Sequence, residues 1–379
     1  MDTEVLIVGA GPVGLALGAS LAARGKQALV VDRQAAGTNT SRAAVIHART
    51  LEALDQIGVS KELVDGGLKV PRFVVRDGDR PLLTVDFGGL PTPYPYTLML
   101  PQSDTERILA DRLHQLGGPI RREAEVVGIA PDDDGVTATL AGGETIRARY
   151  LVGADGMHSL VRERSGIGFT GDAYAQSFVL ADVRMDWQLP DDEVMLYFAP
   201  AGLAVIAPLP GGRHRIVATL DDAPERPGLG DVQALLDERG PRRQPARVRE
   251  IVWSSRFRVH HRLADHYRAG RIFLAGDAAH VHSPAGGQGM NTGIQDAIDL
   301  AATLAAGTDL DGYERRRRPV AAGVVALTDR MTRIATVRHR TAIAARNTVL
   351  PLAGRIPAVR RALAMNLSEL STIKRGKGA

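Results

Sequence analysis

A short apolar strand, Glu4 to Val8, runs directly into Gly9, Gly11 and Gly14 and then into a helical pattern through Leu15, Leu17, Ala19, Leu21 and Ala22. Arg24-Gly25 supplies the stop, and a second strand, Gln27 to Val31, ends in Asp32. Strand, glycine turn, helix, strand and acid in that order predict a βαβ unit, hence a parallel, doubly wound sheet. Each glycine answers a different demand. The first permits the tight turn, the second lets backbone approach a pyrophosphate, and the third lets helix pack on strand. Pro12 and Val13 open the helix, whose unpaired N–H groups face the phosphates. Asp32 is placed to accept from a ribose hydroxyl. The spacing therefore predicts a bound dinucleotide and leaves its identity open.

A second glycine-rich stretch lies about 260 residues later. Strand Arg271 to Ala275 ends in Gly276-Asp277, and after a loop through Pro284 a helix opens at Gly289-Met290-Asn291 and continues through Ile294, Ala297, Ile298, Leu300 and Ala301. A third stretch, Leu151-Val152-Gly153-Ala154-Asp155-Gly156, stands between them. Taken together, the three resemble the motifs of the class A, para-hydroxybenzoate hydroxylase-like flavoprotein monooxygenases, in family order and spacing, over residues 5 to about 300. The resemblance implies FAD, with Gly276 and Asp277 at its ribityl chain and pyrophosphate. It places Pro284, Gly289, Met290 and Asn291 beside the isoalloxazine ring, and Asp155 at both FAD and the nicotinamide donor. A helix N-terminus aimed at the ring suits the negative charge of a reduced flavin. Further positions follow one at a time: Arg33 near the adenine ribose, Arg42 at the cofactor and the incoming NADPH, Gln102 on the flavin side, and Val126 by its backbone at adenine.

The activity so implied is NADPH- and O2-dependent hydroxylation of an aromatic small molecule, phenolic or polycyclic, through a flavin C4a-hydroperoxide. The flavin carries the chemistry and the protein supplies orientation and a dry pocket. No catalytic side chain is demanded. The Pro284 carbonyl region and His47 are the candidates, His47 standing either as an acid–base or substrate contact or as a helix-surface histidine. Two alternatives stay open, a reductase or dehydrogenase on the same fold and a non-catalytic flavin-binding scaffold. For the related flavin-dependent halogenases the resemblance implies a WxWxIP segment, which Trp187 and Trp253, the only tryptophans and far apart, do not supply, so halogenation is disfavoured.

The expected architecture is α/β. A Rossmann-type FAD-binding domain in three pieces, residues 1–70, 98–175 and 268–305, carries an inserted antiparallel-sheet substrate domain of residues 71–97 and 176–267. A helical region, 306–379, follows, with breaks expected at Pro351 and Pro357; larger relatives add a thioredoxin-like domain beyond it. Zero cysteines exclude disulfides and thiolate chemistry. No metal site is expected, since His280/His282 and His260/His261 lack convergent partners. Arg315 to Arg318 reads as an exposed helix face rather than a nucleic-acid patch. The pattern near Met1 does not resemble a signal peptide, and no apolar run reaches the ~20 residues of a membrane span. A cytoplasmic protein without nucleic-acid or membrane partners is therefore expected, its oligomeric state open.

Overall fold

The computed structural model describes residues 1–37, 43–188, 190–221, 223–337 and 339–371. Its first layer is an eight-stranded sheet built on five parallel strands, in the order Ile272–Leu274, Thr145–Gly153, Thr3–Val8, Ala28–Val31 and Ile120–Arg121, to which Arg268–Ala269, Val136–Leu140 and Val126–Pro131 add antiparallel. Strand Thr3–Val8 lies at the middle, and Val5, Leu6 and Ile7 are at most 1% exposed. Such an unbroken apolar run suits a strand covered on both faces. One cover is helix Pro12–Ala22, whose Leu15, Leu17 and Leu21 are fully buried, each contributing roughly 2 kcal/mol. It is wedged between the sheet, helix Gln102–Gln115 and helix Gly289–Ala306. Gly18 leaves room for Val30 on one side and Leu113 on the other.

The second layer is an eight-stranded sheet, in the order His280–Val281, Arg247–Ala264, Phe169–Asp186, Arg213–Leu220, Gly202–Leu209, Glu193–Ala199, Arg72–Asp77 and Arg80–Asp86. Its pairs are antiparallel save one: Glu193–Ala199 runs parallel to Arg72–Asp77. That exception has a simple origin. The Arg72–Asp86 hairpin arrives from a different stretch of chain, so no tight turn fixes its direction. Strands Phe169–Asp186 and Arg247–Ala264 are 18 residues each. They pair along their length, through register shifts at Ala173/Ser177, Asp182/Val183 and Arg184/Met185. Helix Leu229–Arg239 covers one face, packing Val232, Leu235 and Leu236 over Val179, Ile206 and Ile216.

Helices Gly312–Ala335, Arg340–Ala353 and Pro357–Leu367 complete the described chain. The expected break at Pro351 is not there. Pro351 lies in the last turns of its helix, and the chain breaks instead at Gly354–Ile356, ahead of Pro357 in the first turn of the next.

Candidate functional site

Parallel strands deliver their carboxyl ends to one edge, and all three motif turns leave from that edge. Ala275 N–H donates to Gly153 O (3.0 Å), Ala154 N–H to Val8 O (2.8 Å) and Gly9 N–H to Val31 O (2.8 Å), so the turns are held side by side. In an open α/β sheet this is where a ligand sits. The three glycines of the first turn are now distinguishable. A Cβ on Gly9 (φ +108°) would lie 2.3 Å from Ala154 O, and one on Gly14 would lie 1.9 Å from Gly9 O. A Cβ on Gly11 would meet nothing within 4 Å. Two glycines therefore serve the fold, and the third faces open space. No side chain caps the helix that begins at Pro12. Asp32 accepts from Ala10 N–H (2.6 Å) and Gln34 N–H (2.8 Å), with exposed Arg33 beside it. Ala124 N–H reaches Asp32 O (2.8 Å), which brings the start of strand Val126–Pro131, with Val126 itself buried, toward the same edge.

Val13 joins the first and last motifs. Its Cγ2 lies 2.7 Å from the Cβ positions of both Gly276 (φ +63°) and Gly293. Asp277 stands exposed at the turn Gly276–Ala278. Behind it lies a buried ionic group that the motifs do not announce. Asp296 Oδ2 accepts from Gly276 N–H (3.3 Å) and contacts His280 Nε2 (2.6 Å), while Oδ1 accepts from Arg317 Nε–H (2.7 Å). Burial alone would raise the Asp296 carboxyl, but the Arg317 guanidinium and the His280 ring outweigh it and hold it below its usual range. The run Arg315 to Arg318 is therefore not a plain exposed face. Arg315 pairs with Asp309, Arg316 with Asp299 and Arg317 with Asp296, and Arg318 donates to Ala264 O (3.0 Å).

Asp155 accepts from Ser159 Oγ (2.5 Å) and Val161 N–H (3.2 Å). Burial raises its carboxyl against these bonds. Arg162 donates to Ala278 O (2.9 Å) and Met157 O (3.0 Å), tying the middle motif to the last.

The loop after His282 is a turn in which Pro284 O accepts from Gly287 N–H (3.0 Å), with Gly286 at φ +82°. The Pro284 carbonyl thus already has a partner. Helix Gly289–Ala306 then begins without a side-chain cap at Gly289 and Met290. Asn291 acts as a clamp: its Oδ1 accepts from His47 N–H (2.8 Å), and its Nδ2 donates to Val45 O (2.8 Å) and Gly287 O (2.7 Å). His47 is fully buried, which removes the helix-surface reading. Its Nε2 lies 2.7 Å from Gly286 O and 3.1 Å from Gln288 Nε2. Burial lowers its pKa to about 4, against the smaller raising effect of Gly286 O. Since the unfolded chain protonates this ring near pH 6.5, it binds more protons than the folded one between about 6.5 and 4. His47→Asn should therefore flatten part of the loss of stability on acidification from pH 7 to pH 4, read from urea midpoints. An unchanged slope would contradict a buried neutral His47.

Gln102 ties the same segment from the other side, accepting at Oε1 from Ala43 N–H (3.2 Å) and donating its own N–H to Ala43 O (3.1 Å). Arg42 lies outside the described residues. On the sheet side, Arg215 forms a bidentate pair with Asp182 (2.7 and 2.8 Å) and donates to Ala43 O (2.8 Å). Both are nearly buried, and no motif marks them.

The residues fit a flavin dinucleotide. Gly11 leaves a Cβ-sized opening above an uncapped helix, and around the Pro284 turn His47 Nδ1, His282 Nε2 and Gln288 Oε1 are buried without hydrogen-bond partners. Among the described residues no group of three or more metal-ligating side chains converges.

Parallel sheet, glycine turn and the second uncapped helix together define a dinucleotide-binding flavoprotein. The chain belongs to the FAD binding domain family, whose model matches residues 2–328, and its relatives are flavin-dependent aromatic monooxygenases. It is 42% identical over 358 residues to the 6-methylpretetramide 4-monooxygenase of Streptomyces rimosus, covering 89% of this chain and 63% of that one. This chain thus spans less than two thirds of that relative's length. Among solved structures, p-nitrophenol 4-monooxygenase PnpA from Pseudomonas putida DLL-E4 superposes with a TM-score of 0.87 at 28% identity, covering 98% of this chain and 99% of that one. The Diels-Alderase PyrE3 of pyrroindomycin biosynthesis gives 0.82 at 30% identity, covering 97% and 80%.

Proposed function

We propose that this chain, in the cytoplasm, hydroxylates an aromatic small molecule, phenolic or polycyclic, with NADPH and O2 as co-substrates. The observation that carries the reading is the meeting of three motif turns and two uncapped helix N-termini at one sheet edge. Bound FAD supplies the redox and oxygen chemistry. The chain's own residues bind and orient it. Gly11 admits the pyrophosphate to the first helix, Asp32 takes the ribose, with Arg33 and the Val126 backbone toward adenine, and Gly276 and Asp277 face the linker. The N–H groups of Gly289 and Met290 stabilise negative charge at the ring. Asn291, His47 and Gln102 act as positioning residues, and Arg42 and Asp155 serve the nicotinamide donor. The divisions at residues 70/71, 97/98 and 267/268 separate this cofactor layer from the substrate sheet, whereas 175/176 falls inside strand Phe169–Asp186, which belongs to the substrate sheet from Phe169 on, and His280–Val281 joins that sheet from within 268–305.

The 42% identity to a pretetramide monooxygenase favours a fused-ring substrate. The test is NADPH oxidation by the purified yellow protein with a panel of fused-ring and single-ring phenols, in air and under nitrogen. Hydroxylated product and oxygen-dependent turnover are expected. Equal turnover without oxygen would replace the hydroxylase by a reductase. The likeness to a Diels-Alderase, whose named reaction is not an oxidation, keeps the scaffold reading as the alternative; a flavin-loaded protein that never consumes NADPH would select it.

A further inference from the structure

Charge is distributed very unevenly along this chain. Residues 330–379 hold 11 of its 47 basic side chains but one of its 43 acidic ones, a local charge of +10 against −6 for the 329 residues before them. The one acid, Glu369, is buried. Within the described part of this stretch, Arg330, Arg340, Arg355, Arg360 and Arg361 are exposed, and no carboxylate pairs with them among the described residues.

The same stretch concentrates exposed apolar surface. Of the eight large apolar side chains left exposed among the described residues, four are here: Ile334 (46%), Val349 (57%), Leu352 (54%) and Ile356 (51%). In helix Arg340–Ala353, Ala342, Ala345, Val349 and Leu352 recur at spacings of three and four, which places them on one stripe. The stripe faces away from the protein. At the flank of the stripe the helix is anchored by Arg346, buried, which donates to Ile334 O (3.3 Å) and Phe198 O (2.8 Å).

We infer that this C-terminal helical surface docks on an anionic lipid membrane. A helix with an aliphatic outer stripe and surrounding cationic side chains matches an element that lies in the headgroup plane. No described helix is long and apolar enough to cross a membrane, so the mode is peripheral. Charge decides against a second copy, because two such surfaces carry the same sign and repel. Nucleic acid is disfavoured as occupant, since residues 330–379 contain no Phe, Tyr or Trp on which bases could stack. Docking would hold the protein where a poorly soluble aromatic substrate partitions; this consequence, unlike the docking itself, rests on the proposed hydroxylation.

The test is flotation of the FAD-loaded full chain with vesicles of phosphatidylcholine alone and with about 30% phosphatidylglycerol. Binding should be at least about tenfold stronger to the anionic vesicles and should fall as salt is raised. Leu352→Glu/Ile356→Glu, and separately Arg355→Gln/Arg360→Gln/Arg361→Gln, should each remove most of it. Flavin content and thermal midpoint in both variants, being independent of vesicles, show that the fold is kept. Equal binding to neutral vesicles, or anionic binding that survives both variants, would overturn the inference. So would a dimer in light scattering that the Leu352→Glu/Ile356→Glu variant dissociates while vesicles leave the protein in solution.

Discussion

Gly11→Val should yield a folded but colourless protein. A Cβ at Gly11 meets no protein atom within 4 Å, so the apoprotein suffers no steric penalty and its thermal midpoint should stay within a few degrees. The added branched side chain instead occupies the space above the Pro12–Ala22 helix N-terminus, where the pyrophosphate must come within hydrogen-bonding distance of backbone N–H groups. FAD affinity should fall roughly 100-fold or more, equivalent to about 2.8 kcal/mol. Gly14→Ala supplies the contrast. Its methyl would lie 1.9 Å from Gly9 O, and relieving that overlap should cost the fold at least about 1–3 kcal/mol. Melting both variants with and without added FAD separates the roles. Normal flavin binding by Gly11→Val would remove the first turn from the cofactor site.

Asp296→Ala should be the most destabilising single change near the site. The carboxylate is fully buried between His280 and Arg317 and also accepts from Gly276 N–H. Its removal leaves the Arg317 guanidinium buried without its counter-ion, a loss of about 3–5 kcal/mol. The turn Gly276–Ala278 loses its tether in the same step, so flavin retention should drop together with stability. Asp296→Leu combined with Arg317→Met removes both charges and should recover most of the stability. It should not recover flavin retention, because no acceptor returns for Gly276 N–H. Urea midpoints and flavin release by filtration measure the two effects. A single variant as stable as the parent would show that the buried pair is not coupled.

The parts of this molecule readable from its sequence are those dictated by backbone. Gly9, Gly14 and Gly276 are required by main-chain conformation and close approach, so their spacing alone marks the turns. Strands such as Thr3–Val8, covered on both faces, show as unbroken apolar runs. The side-chain networks are not readable in the same way. Asp296 has no neighbour in sequence that announces a partner, and Arg317 is one of four consecutive arginines with four different fates. His47 pattern-matches a helix surface because its neighbours Ala48 and Arg49 do. Its burial is imposed by Gly286, Gln288 and Asn291, about 240 residues away. Pro351 shows the same limit at short range: proline penalises a helix interior by a missing N–H, but that cost is tolerable near the end of a helix already anchored by Arg346.

The wedge of Val13 between Gly276 and Gly293 bears on biosynthesis. The second residue of the first helix cannot find its final neighbours until the chain has reached its last third. At roughly 5–20 residues per second, that delay is about 15–60 s on the ribosome. During it the N-terminal βαβ unit carries an apolar helix face with nothing against it, a natural target for chaperones. Cofactor capture is therefore a late event in the life of each nascent chain, and a fragment ending before Gly289 should emerge without flavin however well its first 200 residues fold.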